Sequence, residues 1–145
     1  MAYKNIVITP NNVSNQSFVK QSQFYKGFST VDNKSKSTKI YDFDLVRQDI
    51  MNMFYTKKGE RVMNPEFGTV IWELLYEPLT VSVKQAISDD VTRILNFDPR
   101  VVPVSIQITE APSGIMIDTV LYDKLEDMTR SMKLSFDKEV GLIAM

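Results

Sequence analysis

The sequence predicts an α+β fold, in which helices pack on one face of a small antiparallel sheet. Two long segments repeat apolar residues at three- and four-residue spacing, which indicates helices. Three segments nearer the end alternate apolar and polar residues, which indicates strands with one buried face. The chain has 145 residues, which is long enough to bury one hydrophobic core.

The first long helix is predicted to begin near residue 42 and to end at about Tyr55. Either Asp42 or Asp44 can cap its start. The lysines and the glycine of residues 57–59 suit its end, where positive charge and a flexible backbone are favoured. Its predicted buried face consists of Val46, Ile50, Met53 and Phe54.

A short helix is expected over residues 69–76, and a second long helix over residues 81–97. Thr80 is the predicted N-cap of the long helix. Pro99 ends it, because the residue before a proline avoids the α conformation. The residues predicted to face the core are Val83, Ala86, Ile87, Val91, Ile94 and Leu95.

Three strands are predicted to follow as an antiparallel meander. The first should lie at an edge or contain a bulge, because Pro103 cannot donate a ladder hydrogen bond. A three-stranded sheet has two open edges, which invite pairing with another chain. The alternating residues predicted to face the core are Val102, Val104, Ile106 and Ile108 in the first strand, Ile115, Ile117, Thr119 and Leu121 in the second, and Met132, Leu134 and Phe136 in the third.

The composition changes near residue 40. Residues 1–40 contain 17 Asn, Ser and Lys residues, with six lysines against one aspartate, whereas the remaining residues carry a net charge of −6. We therefore expect an extended basic arm over residues 1–40 and an α+β domain over residues 41–145. Spaced aromatic residues such as Phe24, Tyr25 and Phe28 suit an arm that orders against a partner. A leader that only remains in solution is the alternative.

The residue types exclude most catalytic chemistry. The chain has no cysteine and no histidine, so it can form neither a disulfide nor a Ser-His-Asp triad. No glycine-rich phosphate loop or long apolar run is present, and we expect no cofactor, metal, membrane span or signal peptide. Glycoside hydrolysis needs only two carboxylates, which the group Glu60, Glu66, Glu73 and Glu77 could supply, although solvated charges explain that group more simply.

Two short strings are more distinctive. The first contains Lys58, Gly59, Arg61, Pro65, Phe67 and Gly68, and the second is Asp98, Pro99 and Arg100. Together, at this spacing, they resemble the gene-product-25 family of contractile-tail baseplate wedge proteins, over roughly residues 42–137. That family carries glutamate where this chain has Asp98. Phe67 is interpreted as a core plug, and Gly68 as a glycine required by a tight turn.

The resemblance implies a non-enzymatic structural protein of the virion, in the phage tail baseplate, assembled in the host cytoplasm. It implies that several copies surround the tail tube in a ring and initiate the sheath by accepting sheath strands, that is, by β-augmentation. The implied partners are the tail sheath protein, other wedge proteins and tube proteins. A baseplate glycosidase is the alternative, and a nucleic-acid-binding module, supported only by the basic arm, comes third.

We assign partner binding to eight positions, three in the arm and five around the start of the first strand. Arg100 has two interpretations, an electrostatic bracket for a partner strand or an intrachain pair with Asp98 or a helix end. The arm aromatics are Phe24, Tyr25 and Phe28, and the positions near the first strand are Asp98, Pro99, Arg100, Val102 and Val104.

Overall fold

The computed structural model describes residues 24–29 and 39–144. In chain order the elements are β1 (Lys26–Phe28), β2 (Lys39–Tyr41), α1 (Asp42–Tyr55), α2 (Ile71–Leu74), α3 (Val81–Phe97), β3 (Val101–Ala111), β4 (Gly114–Asp123), β5 (Met128–Asp137) and β6 (Gly141–Ala144). The predicted α+β class is confirmed, as are the bounds of both long helices. Most of the predicted arm, residues 1–23 and 30–38, lies outside the described residues.

The main sheet has four antiparallel strands in the order β3-β4-β5-β6, so the predicted three-stranded meander is wrong. The additional strand, β6, pairs only with the end of β5, from Leu134 opposite Ala144 to Asp137 opposite Gly141. Its four residues are too few to show an alternating pattern in the sequence. A separate two-stranded sheet, β1 paired antiparallel with β2, was also not predicted.

The hydrophobic core lies between the helices and one face of the main sheet. The ring of Phe136 on β5 is 6.0 Å from that of Phe54 on α1 and 5.2 Å from that of Trp72 on α2. Trp72 donates from Nε1 to the carbonyl oxygen of Phe54 at 2.8 Å, which satisfies the polar end of the indole. The predicted helix faces are buried except for Ala86, which is exposed because it is rotated about 100° from Ile87 around the helix.

A bulge changes which residues of β3 face the core. The pairing with β4 shifts between Pro103 and Ser105. Val101 is therefore buried, whereas Val102 and Val104 are 39% and 59% exposed. The predicted inward position of these two valines is wrong, because one extra residue reverses the alternation. The prediction that the first strand lies at an edge or contains a bulge near Pro103 is confirmed, since both are present.

The predicted aspartate cap at the start of α1 is wrong, because no aspartate side chain caps this helix. Tyr41 is the N-cap residue and makes no side-chain cap bond. Asp42 has a φ of 45°, and its Oδ1 accepts the backbone N–H groups of Phe24 and Tyr25, each at 2.9 Å. The carboxylate is therefore used to attach residues 24–29 to the domain.

The end of α1 also differs from the prediction. Thr56 has an extended backbone, and its N–H and hydroxyl both donate to the carbonyl oxygen of Asn52, at 3.3 and 2.9 Å. The glycine that follows therefore belongs to the next loop.

The short helix α2 has four residues, fewer than predicted. The Thr80 cap of α3 is confirmed, since its hydroxyl accepts the N–H of Val83 at 3.3 Å. None of the described helices has the length and apolar character needed to cross a membrane.

Candidate partner-binding site

The first sequence string folds into three consecutive turns between α1 and α2. Backbone hydrogen bonds of 3.1–3.2 Å close turns at residues 57–60, 61–64 and 64–67. Gly59 is the third residue of the first turn and has a φ of 89°. Pro65 is the second residue of the last turn, where its fixed φ is favoured. The glycine and the proline of the string therefore have local backbone roles.

Gly68 is required for a different reason, close approach of two backbone segments. It is buried and has a φ of 108°. A Cβ atom built there would lie 2.6 Å from the carbonyl oxygen of Thr56, which is shorter than any tolerated contact. The same segments are joined by hydrogen bonds from Lys58 N to Thr69 O at 3.0 Å and from Thr69 N to Thr56 O at 2.9 Å. The lack of a side chain at Gly68 therefore permits the close approach of these two segments.

A buried aspartate on α3 fastens the loop to the domain. Asp90 accepts hydrogen bonds from the Thr69 hydroxyl at 2.6 Å, from Val70 N at 3.1 Å and from Arg93 Nη2 at 2.7 Å. Arg93 in turn donates to the carbonyl oxygens of Glu66 at 3.0 Å and Gly68 at 2.6 Å. Neither Asp90 nor Arg93 belongs to a motif that predicts this role from the sequence. Only their i,i+3 spacing on a predicted helix hinted at a pair.

The remaining members of the first string shape the surface of the loop. The guanidinium carbon of Arg61 lies 3.7 Å from the ring centroid of Phe67, a stacked cation–π contact. Phe67 is partly buried and packs against the core, which agrees with its predicted role as a plug. Lys58 Nζ is 3.1 Å from Glu66 Oε2 in an exposed ion pair.

The second string forms an ion-pair cluster at the junction of α3 and β3. Arg100 Nε lies 2.8 Å from Asp98 Oδ1, and its Nη2 lies 2.5 Å from Asp98 Oδ2 and 2.6 Å from Asp49 Oδ2 on α1. The backbone N–H of Arg100 also donates to Asp98 Oδ1 at 3.0 Å. The intrachain pair considered for Arg100 is therefore present, and its partners are one buried and one exposed carboxylate.

The ion pair shifts the pKa values of both Asp98 and Arg100. Burial of Asp98 favours its neutral form, but hydrogen bonds from the side chain and backbone of Arg100 outweigh burial and hold the pKa of Asp98 below its ordinary value. The hydrogen bond to Asp98 raises the pKa of Arg100 above its ordinary value, although burial opposes that shift. Both directions favour the charged forms of Asp98 and Arg100.

The two strings meet at one groove of about 620 Å³. Its walls come from α1, from the turn loop, from the α3–β3 junction and from the segment preceding β1, so four separate parts of the chain converge there. Its carboxylates are Asp49 and Asp98, both paired with Arg100. The lining residues are Tyr25, Asp49, Ile50, Asn52, Met53, Arg61, Phe67, Phe97, Asp98, Pro99 and Arg100.

Of the eight residues predicted to bind partners, four line this groove: Tyr25, Asp98, Pro99 and Arg100. Tyr25 forms one wall, and its ring centroid is 5.5 Å from the guanidinium carbon of Arg100. Phe24 and Phe28 are both exposed next to it in the chain. Val102 and Val104 follow the second string on β3. Exposed apolar side chains of this kind have the composition of a protein-binding surface.

A family model described as Baseplate wedge protein gp25 matches residues 42–123, which is more than half of the chain. The chain belongs to this family. Members of this family are structural components of the phage tail baseplate, and this chain therefore has a structural role there in association with other baseplate components. The resemblance predicted from the two strings is thereby confirmed. No curated protein matches the sequence significantly.

Two solved structures share the fold of this baseplate wedge protein. One is a Geobacter sulfurreducens protein proposed to be a tail lysozyme, with 22% identity and a TM-score of 0.59 over 68% of this chain and 93% of the other. The second is a chain of the anti-feeding prophage baseplate, with 18% identity and a TM-score of 0.57 over 68% of this chain and 84% of the other. At these identities the likeness concerns the fold alone.

The four glutamates considered for glycoside hydrolysis are all exposed, and none lines the groove between the strings. Glu60 accepts the backbone N–H of Lys57 at 2.9 Å, and Glu66 pairs with Lys58. Both glutamate side chains therefore contact residues of the turn loop itself. No group of three or more acidic residues suited to a metal ion occurs among residues 24–29 and 39–144.

Proposed function

We propose that this baseplate wedge protein initiates the contractile sheath by accepting a strand of the sheath protein along the free edge of β3. The observation that supports this proposal is the position of β3 in the sheet. It has eleven residues and pairs with β4 alone among the described strands. An edge of that length offers a row of backbone donors and acceptors, and strand addition uses such a row.

The other edge of the sheet is a poorer acceptor. There β6 already covers residues 134–137 of β5, which leaves residues 128–133 open. That open stretch contains Arg130 and Lys133, and charged side chains are a common protection of edges against pairing. Residues 105–111 of β3 contain no proline and a single charged residue, Glu110. We therefore assign strand acceptance to residues 105–111, beyond the bulge at Pro103.

The groove and the arm extend the same contact surface. The Asp98–Arg100 cluster directly precedes β3, so Arg100 would position the acceptor edge from within the chain. Val102 and Val104 then stand beside the incoming strand. Phe24, Tyr25 and Phe28 would contact neighbouring wedge proteins as the basic arm, residues 1–40, wraps them. Several copies would form a ring around the tail tube and also contact tube proteins.

Hydrogen exchange on the full chain tests this proposal, with and without the tail sheath subunit. We expect new protection of backbone amides within residues 105–111 when the sheath subunit is added. The amides of β4 serve as an internal control, since β4 is paired on both sides and is protected in either sample. Protection confined to residues 128–133, or no change in the sheet, would contradict strand acceptance by β3.

A further inference from the structure

The turn at residues 61–64 carries two apolar side chains that folding does not explain. Val62 and Met63 occupy its two central positions and are 92% and 96% exposed, more than any other large apolar residue in the described part of the chain. The centres of turns ordinarily hold Gly, Pro, Asn, Asp or Ser, each of which suits the backbone there. Neither valine nor methionine does so.

The turn is held in one conformation by bonds on both sides. Asn64 N donates to Arg61 O at 3.2 Å, and Gly59 N donates to Pro65 O at 3.0 Å. Beyond the turn, Arg93 of α3 donates hydrogen bonds to the carbonyl oxygens of Glu66 and Gly68. A projecting tip that is already ordered loses less conformational entropy on binding than a flexible loop would. This turn is therefore suited to binding another molecule.

We propose that Val62 and Met63 form an anchor that inserts into an apolar pocket on another protein of the baseplate. Two adjacent apolar side chains on a rigid turn have the form of a small binding anchor that fills a pocket. They bury too little surface for stable attachment to a lipid bilayer. The neighbouring charges, Lys57, Lys58 and Arg61 against Glu60 and Glu66, nearly balance, so they form no polybasic patch for anionic lipid.

This anchor rests on membership of the baseplate family and does not depend on strand acceptance by β3. Its test therefore omits the sheath protein. The full chain carrying Val62→Ser and Met63→Ser would be added to baseplates assembled from the other baseplate proteins, and its incorporation compared with wild type. The matched control carries Val81→Ser and Val140→Ser, which also replace two exposed apolar side chains, at 86% and 72% exposure, on other parts of the surface.

We expect the tip variant to bind the baseplate at least tenfold more weakly than wild type, with an unchanged melting temperature, and the control to bind normally. Because the chain has no cysteine, Asn64→Cys labelled with benzophenone maleimide would identify the contacted protein. Cross-links should fall on apolar pocket residues of one other baseplate protein. Normal incorporation of the tip variant would overturn the proposal. Cross-links to a second copy of this chain, or tip-dependent binding to phosphatidylglycerol vesicles, would do so too.

Discussion

Two glycines of the turn loop can be replaced by alanine to compare two destabilising effects. One is the strain of a positive φ, and the other is a steric clash of the new Cβ with nearby backbone. Gly59 and Gly68 both have positive φ, but a Cβ at Gly59 would meet no atom within 4 Å. We expect Gly59→Ala to lower the free energy of unfolding by about 1 kcal/mol. Gly68→Ala should cost about 3 kcal/mol, since the added Cβ must also displace backbone. Urea unfolding of both variants measures the difference, and equal losses would show that the Thr56 contact is unimportant.

The second prediction at the residue scale concerns Arg100. Removing its side chain leaves Asp98 buried with only a backbone donor, so Arg100→Ala should cost about 1–3 kcal/mol at pH 7. Lys58→Ala is the control, because its pair with Glu66 is exposed, and it should cost less than about 1 kcal/mol. A loss for Arg100→Ala as small as that of the control would show that the cluster does not stabilise the fold.

The stabilisation by Arg100 should also depend on pH. The pKa of Asp98 is lower in the folded protein than its ordinary value, so the unfolded chain takes up the proton more readily. The contribution of the pair is therefore present above about pH 4 and is lost as pH falls through the folded pKa. Urea unfolding at pH 7 and pH 3 should show the difference between wild type and Arg100→Ala becoming smaller in acid.

At the scale of elements, α3 supports the turn loop through Asp90. Asp90→Ala would leave the Thr69 hydroxyl, the Val70 N–H and Arg93 without this acceptor, and we expect a loss of about 2–4 kcal/mol. Amide exchange within residues 57–70 should accelerate at the same time. The neighbouring Asp89→Ala removes only an exposed bond from Gln85 and should change neither quantity. Slow exchange in the Asp90 variant would mean that the loop is held by its own turns.

The elements that the sequence predicted well are those long enough to repeat their pattern. The 14 and 17 residues of α1 and α3 contain several helical turns, and β4 and β5 alternate over ten residues each. The four residues of β6 contain too few repeats, and the three-residue strands β1 and β2 depend on pairing across a long stretch of chain. The bulge at Pro103 was anticipated, but its reversal of Val102 and Val104 was not.

At the scale of the whole molecule, the two sequence strings become one surface only after folding. Sequence spacing showed that residues 58–68 and 98–100 are unusual, and resemblance connected them to a baseplate family. Neither could show that Asp49 of α1 completes the cluster, or that Tyr25 closes the groove. Those contacts join residues far apart in the chain, so they depend on the packing of α1 against the α3–β3 junction. The exposed edge of β3 begins at the same junction, which links the groove to the proposed acceptor strand.

Cross-linking from single cysteines tests strand acceptance by β3 most directly. Gln107→Cys and Ser131→Cys place a benzophenone label on the same solvent-exposed face of the sheet, near its opposite edges, in a chain with no other cysteine. Each labelled chain would be irradiated with the tail sheath subunit and the products mapped by mass spectrometry. We predict efficient cross-linking from position 107 to one short segment of the sheath protein and little from position 131. Cross-linking from position 131 alone, or from neither position, would contradict strand acceptance by β3.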